Sequence, residues 1–277
     1  MKYLILLLMI IIRIKEIKSI VLFDTIKNTL GITLLVSSLI EIYTRIPLKI
    51  MYNSTPKLLN LKSKESNIVL IFPGYGGPDK NTDDLLKKII QLKNNKNKNC
   101  YIKVYDWSKW CCNILRAAND GLTVGKILGE EIVLNNSNNL KDVHIIGISV
   151  GSFPAHMCSK IIKKKTSAYV RLTLLDPFCS KGIFDQKFGN NNFGKDVDFA
   201  EQYLNNDDPV PFTNEALKYC YCYDVTYMKD RLKFKPLPND NMHSWPLAFF
   251  IKNCHKSLNL KLNHHDCYPR GFVNTLK

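Results

Sequence analysis

The sequence predicts an α/β domain, a mostly parallel sheet with helices on both faces, preceded by N-terminal helices. Three observations lead there. Short runs such as Asn67–Phe72 (NIVLIF) are apolar throughout and rich in β-branched residues, as strands covered on both faces are. Segments with apolar residues every three or four positions lie between those runs, and strands alternating with helices build a parallel sheet. Glycine-rich turns stand where strands end. A chain of 277 residues with no linker-like stretch in its middle suits one large domain, here placed at 57–277.

The first 56 residues read differently. Tyr3–Ile12 is an apolar run behind a single Lys2, too short for a span of about 20 residues and suited to a signal-peptide core. Arg13, Lys15 and Lys18 follow it, without a small-x-small cleavage site. Leu30–Ile40 is also short, and Asp24, Lys27, Glu41 and Arg45 interrupt Ile20–Met51, which therefore reads as one or two partly amphipathic helices. A cleaved signal, a membrane-surface anchor and helices docked on the domain all fit. Membrane association, or secretion, is the expectation.

From residue 67 the elements follow in order. The first strand ends in Pro73-Gly74-Tyr75-Gly76-Gly77-Pro78, a loop able to bring bare backbone to a ligand. Asp83–Leu92 has helical spacing, Tyr101–Tyr105 is a strand, and Asp106-Trp107 follows. Leu115, Ala118, Leu122, Gly125, Gly129 and Ile132 share one helix face, whose small members suit close packing on a sheet. Val143–Ile146 is a strand, and Phe153, Met157 and Ile161 continue as a helix closed by Lys163-Lys164-Lys165. Pro154 falls about where that helix's first turn ends. Val170–Leu175 is the fourth strand, ending at Asp176-Pro177. Residues 178–215 show no strand pattern and are expected to form a cap, with Phe178, Phe184, Phe188, Phe193 and Phe199 as its apolar underside. Leu217–Tyr223 is the fifth strand, ending at Asp224, and Trp245–Ile251 is a late helix.

Composition limits the partners. The formal charge is +15, but Lys, Ile and Asn are abundant along the whole chain, and aromatics are not interleaved with the basic residues as a base-stacking groove requires. Nucleic acid is therefore not an expected partner. The nine cysteines have no zinc spacing. Cys254, His255, His264, His265, Asp266 and Cys267 are of ligand type but lack a C-x-x-C anchor, so neither a metal nor a cofactor is expected.

The chemistry centres on Gly147-Ile148-Ser149-Val150-Gly151, a G-x-S-x-G pattern between a strand and a helix. Such a turn pushes the serine hydroxyl out at the end of the sheet, over a helix N-terminus that favours developing negative charge. An oxyanion there needs two N–H donors. Val150 supplies one, and Tyr75 or Gly76 the other. The serine needs a base. Among the six histidines, His144 lies in the strand and His156 on the following helix. His243 sits in a late loop, after Ser149 and after the acid candidates Asp176 and Asp224.

These segments together are similar to the pancreatic-lipase-like branch of the α/β-hydrolases. The resemblance rests on Asp106-Trp107-Ser108, Ala118-Asn119 with Val124-Gly125, His144-Ile145-Ile146 before the elbow, and Leu174-Leu175-Asp176-Pro177, and spans about Ile68 to Pro177 with His243 beyond. Ile148 stands where that branch has a histidine, and Phe178 where it has a small residue. The resemblance implies an α/β-hydrolase fold and a triad of Ser149, Asp176 and His243, and prefers Asp176 to Asp224 as the acid. The expected function is a serine esterase or lipase acting on a small-molecule or lipid ester, with a membrane surface as a further partner. Acyl transfer and peptide hydrolysis use the same residues, and a non-catalytic, membrane-associated binding protein of the same fold is the alternative class.

Overall fold

A computed structural model describes residues 27–61, 65–94, 100–136, 138–238, 241–259 and 269–276. The apolar run Tyr3–Ile12 and the tail ligand residues His264, His265, Asp266 and Cys267 lie outside the described residues, as does the side chain of His255. The chain divides into two compact units, Met1–Thr55 and Pro56–Lys277.

In the first unit, α1 (Lys27–Arg45) is followed by the short α2 (Leu48–Tyr52). Pro47 explains the break, because a proline disfavours helical backbone in the residue before it. Asn53, in left-handed backbone at φ 47°, closes α2. Among the described residues no helix is long and apolar enough to cross a membrane.

The second unit runs β1 (Asn67–Phe72), α3 (Lys80–Asn94), β2 (Cys100–Val104), α4 (Ser108–Cys111), α5 (Ile114–Asn136), β3 (Asp142–Ile148), α6 (Ser152–Lys165), β4 (Tyr169–Leu175), α7 (Phe188–Asn192), β5 (Phe199–Leu204), β6 (Tyr221–Asp224), α8 (Trp245–Asn259) and β7 (Val273–Thr275). All seven strands pair in parallel, in the order β2-β1-β3-β4-β5-β6-β7. After β1 the chain steps outward to β2, then returns past β1 to β3 and continues the other way. That reversal is a topological switch point, and the crevice beyond the carboxyl ends of β1 and β3 is where doubly wound sheets place ligands. The fold is thus α/β with a parallel sheet. Its strand order is shared by several doubly wound folds.

Two expectations need correction. Residues 178–215 are not a separate cap. They contain β5, an interior strand between β4 and β6, and Phe193 is fully buried. The strand escaped notice because Glu201 and Gln202 break its apolar pattern, yet both are buried. Glu201 pairs with Arg171 and accepts from Thr173 Oγ1 at 2.7 Å, while the Gln202 amide donates to the Glu215 carbonyl and accepts from Leu217 N–H. Internal partners replace water, which makes burial of these groups tolerable. The strand expected at Leu217–Tyr223 is correspondingly shorter, beginning at Tyr221.

The second correction concerns the small residues of α5. They face the elbow helix, not the sheet. A Cβ on Gly125 would lie 2.2 Å from the Pro154 carbonyl oxygen, and one on Gly129 would lie 2.9 Å from Ile161 Cβ. Pro154 itself occupies the first turn of α6, where its missing N–H has no intrahelical acceptor to lose.

This contact gives a stability prediction. Gly125→Ala forces α5 and α6 apart and costs about 1–3 kcal/mol, as overpacking does. Urea denaturation of the purified chain measures it, and an unchanged midpoint would contradict the packing described.

Candidate active site

Ser149 leaves β3 with φ at +51°, left-handed backbone that a side-chain-bearing residue seldom adopts. Its neighbours explain how the turn is held. A Cβ at Gly151 would sit 2.4 Å from the Phe72 carbonyl oxygen and 2.5 Å from that of Pro73. One at Gly147 would meet Ala155 Cβ and Ser152 Cα at 2.8 Å. Only glycine fits at either position, so close approach of backbone to backbone sets the spacing of G-x-S-x-G. A short 3-10 turn over Ser149–Gly151 leads into α6, a helix of 14 residues.

The loop after β1 lies beside the serine, with a Cβ on Gly74 only 3.3 Å from Ser149 Cβ. The Asp-Trp-Ser segment braces this loop. The fully buried Trp107 donates from Nε1 to the Pro73 carbonyl at 2.9 Å, Asp106 Oδ1 holds the Ser108 N–H at 3.0 Å, and Gly77 packs on Ser108. Gly77 N–H returns to the Gly74 carbonyl at 3.2 Å. The Gly76 N–H is directed at the Cys111 thiol, while burial pushes that thiol up to about 12. Tyr75 and Gly76, the two amides considered for the oxyanion, both belong to this loop beside Ser149. Val150 N–H belongs to the first turn, whose amides lack intrahelical acceptors.

Ser149, Gly74, Tyr75 and His243 line one cavity of about 360 Å³. Ile148, Leu237 and Leu247 give it an apolar wall, and Asp79, Asn81 and Thr82 a polar one. His243 stands in a 3-10 turn, Met242–Ser244, that feeds α8. Asn241 Oδ1 accepts the His243 N–H at 2.8 Å, and Asn205 Nδ2 donates to the Met242 carbonyl at 3.2 Å. The imidazole Nε2 has no hydrogen-bond partner among the described residues.

Its Nδ1 has two. Asp208 Oδ2 lies at 2.6 Å and Asp176 Oδ2 at 3.0 Å. Asp176 ends β4 in left-handed backbone at φ 46°, and its Oδ1 accepts the Asn205 N–H at 3.2 Å. Asp208 follows β5. Thr213 Oγ1 donates to its Oδ2 at 2.6 Å and Val210 N–H to its Oδ1 at 3.1 Å. Asp224, the alternative acid, does not reach the imidazole. Its carboxylate accepts from Thr226 and, at 2.6 Å, from Asn206 Nδ2, so it anchors the loop that carries Asp208. Sequence reasoning missed Asp208 because the strand before it went unread. The signal was present, since Asp207-Asp208-Pro209 parallels Asp176-Pro177.

The charges follow from this packing. Burial disfavours the imidazolium, but the hydrogen bonds and charges of Asp176 and Asp208 outweigh it and raise His243 to about 10. Burial lifts Asp176 to about 7 against the pull of the imidazolium, and the Asp208 charge adds to the rise. Asp208 is held below the ordinary carboxylate range. Burial opposes this, and the donors His243, Thr213 and Val210 prevail. His144 and His156 lie away from this cluster, in the core. His144 is buried with Nε2 2.8 Å from Thr173 Oγ1, and burial lowers it well below its ordinary value. His156 is buried against the Phe188 and Phe193 rings.

Asp176, Asp208 and His243 also have the composition and closeness of a metal's ligand set. Their separations of 2.6 and 3.0 Å are those of hydrogen bonds. Compared with models of known protein families the chain matches none, and it matches no curated protein in sequence.

The electrostatics predict that His243 is an imidazolium at neutral pH. In a histidine-labelled NMR titration its ring should stay protonated through pH 7 and titrate near 10. A midpoint below 7 would mean that the carboxylates do not charge it.

Proposed function

We propose that the chain is a serine hydrolase of the α/β-hydrolase type, cleaving a lipid-like carboxylic ester through an acyl-enzyme. One observation carries the reading: Ser149, in left-handed backbone at the carboxyl end of β3, shares a cavity with a histidine whose Nδ1 is held by carboxylates and whose Nε2 has no hydrogen-bond partner among the described residues, Ser149 included. The order along the sheet supports it, with nucleophile after β3, acids after β4 and β5, and base ahead of α8.

In this reading Ser149 Oγ attacks the ester carbonyl while neutral His243 takes the hydroxyl proton on Nε2. The carbonyl oxygen becomes an oxyanion facing the Val150 N–H and that of Tyr75 or Gly76. Collapse expels the alcohol, which leaves with the proton from Nε2. Water then adds to the acyl-enzyme by the same route, releasing the acid and restoring Ser149. A general base must start neutral, so a histidine raised to about 10 moves the acid limb of the rate profile to alkaline pH. That charged resting state also favours a second reading, a non-catalytic binding protein of the same architecture. The apolar wall of Ile148, Leu237 and Leu247 suits an acyl chain.

A fluorophosphonate probe separates the two readings. Labelling should fall on Ser149, rise steeply between pH 7 and pH 9.5, and vanish in Ser149→Ala. An unlabelled Ser149 at pH 9.5 would sink the hydrolase reading and leave the binding protein.

Membrane association belongs to the same proposal and rests on the exposed Leu34, Leu35 and Ile42 of α1. The full chain should float with phospholipid vesicles and a chain beginning at Pro56 should not. Equal behaviour of the two would refute an anchor in the N-terminal unit.

A further inference from the structure

The two carboxylates on His243 are not equivalent, and their surroundings distinguish them. A single Nδ1 proton faces both, at 2.6 Å from Asp208 and 3.0 Å from Asp176. Asp208 has two further donors, the Val210 amide and the Thr213 hydroxyl, whose single proton also has the Val210 carbonyl and Asn214 Oδ1 within reach, and its side chain is wholly enclosed. A carboxylate accepting three hydrogen bonds is well suited to keep its charge out of water. Asp176 is as deeply enclosed but has one further donor, the Asn205 amide at 3.2 Å. Two enclosed carboxylates around one cation carry an excess negative charge, and the less well solvated of the two relieves it most readily by binding a proton.

We propose that Asp208 is the positioning carboxylate that orients and charges His243, while Asp176, the acid implied by the motif around it, stands beside it as the one of the two that takes up a proton first. This deepens the hydrolase reading by dividing labour at the same site, but the division is a property of the ground state and does not need catalysis to be observed. Among the described residues, the charged groups near the ring are placed as follows. Asp79, on the polar wall of the same cavity, accepts from the Thr82 N–H. Asp176 approaches from the end of β4 and Asp208 from the loop after β5. Asp207 beside it pairs with Arg231, and Asp224 at the end of β6 is bound to Thr226 and Asn206. Burial agrees with the division, raising Asp176 while its donors hold Asp208 low.

Asparagine keeps the shape of either residue and imitates the protonated acid, so the two substitutions should differ. With a soluble p-nitrophenyl ester, Asp208→Asn should lower the limiting kcat/KM of the pH profile, where the base is neutral, by about 10³–10⁴-fold, the scale of a lost triad acid. Asp176→Asn should cost at least a hundredfold less. Thermal unfolding of both variants checks that each is folded, and Asp208→Glu, which keeps the charge, should recover part of the loss. NMR of the His243 ring supplies the readout that does not depend on turnover. Its titration midpoint should drop by more than a pH unit in Asp208→Asn and by less in Asp176→Asn.

The opposite ranking in both measurements would make Asp176 the working acid and overturn the proposal. Equal large losses would mean that both act as anions, which overturns it too. If the wild-type chain hydrolyses no ester, the hydrolase reading fails by itself, and the NMR ranking still decides between the two carboxylates.

Discussion

Everything at the site depends on one close approach of main chain to main chain. The turn after β3 passes so near the end of β1 that the Phe72 and Pro73 carbonyl oxygens occupy the space where a side chain on residue 151 would begin. That proximity holds Ser149 in a left-handed conformation that it would leave in a looser turn, and the helix behind must be equally close. Gly147 and Gly151 are the local terms of this constraint, and Gly125 against Pro154 is its extension one layer outward. The loop after β1 belongs to the same arrangement, since the Pro73 carbonyl that crowds Gly151 is also the acceptor for Trp107. The turn at Ser149, the loop after β1 and the helix pair therefore form one packed unit.

Much of that unit was legible in the sequence, because glycine and proline report backbone geometry directly. Gly147 and Gly151 around Ser149 announced a tight turn, and Pro73-Gly74-Tyr75-Gly76 announced a loop with accessible amides. The periodic face of α5 was visible as well, although its partner was not, because spacing says which residues share a side and not what lies against it. The strands β1, β3 and β4 could be read because apolar residues outnumber polar ones in each.

The acid half of the site was harder to read, for the converse reason. β5 carries Glu201 and Gln202 in its buried middle, and a sequence does not reveal that Arg171 and Thr173, thirty and twenty-eight residues earlier, will satisfy the glutamate. A strand stabilised by partners distant in sequence looks like a polar loop. With β5 unread, the loop after it had no place in the sheet and Asp208 had no apparent reason to face His243. Asp224 ended a strand that could be read and so became the alternative acid, whereas its carboxylate fastens the neighbouring loop through Asn206.

The pairing of His243 with two acids also bears on the order in which the molecule comes together. Asp176 and Asp208 precede His243 by 67 and 35 residues, so both acids are synthesised well before the imidazole. Once β4 and β5 pair, those acids stand at adjacent strand ends with no cation between them, and a proton on one of them keeps two negative charges from meeting there. The histidine then enters as an internal counter-ion, drawing the ends of β4 and β5 together as it docks. Non-local closure of this kind is slow by nature. It makes the loop ahead of α8 the one that ties the ends of β4 and β5 together.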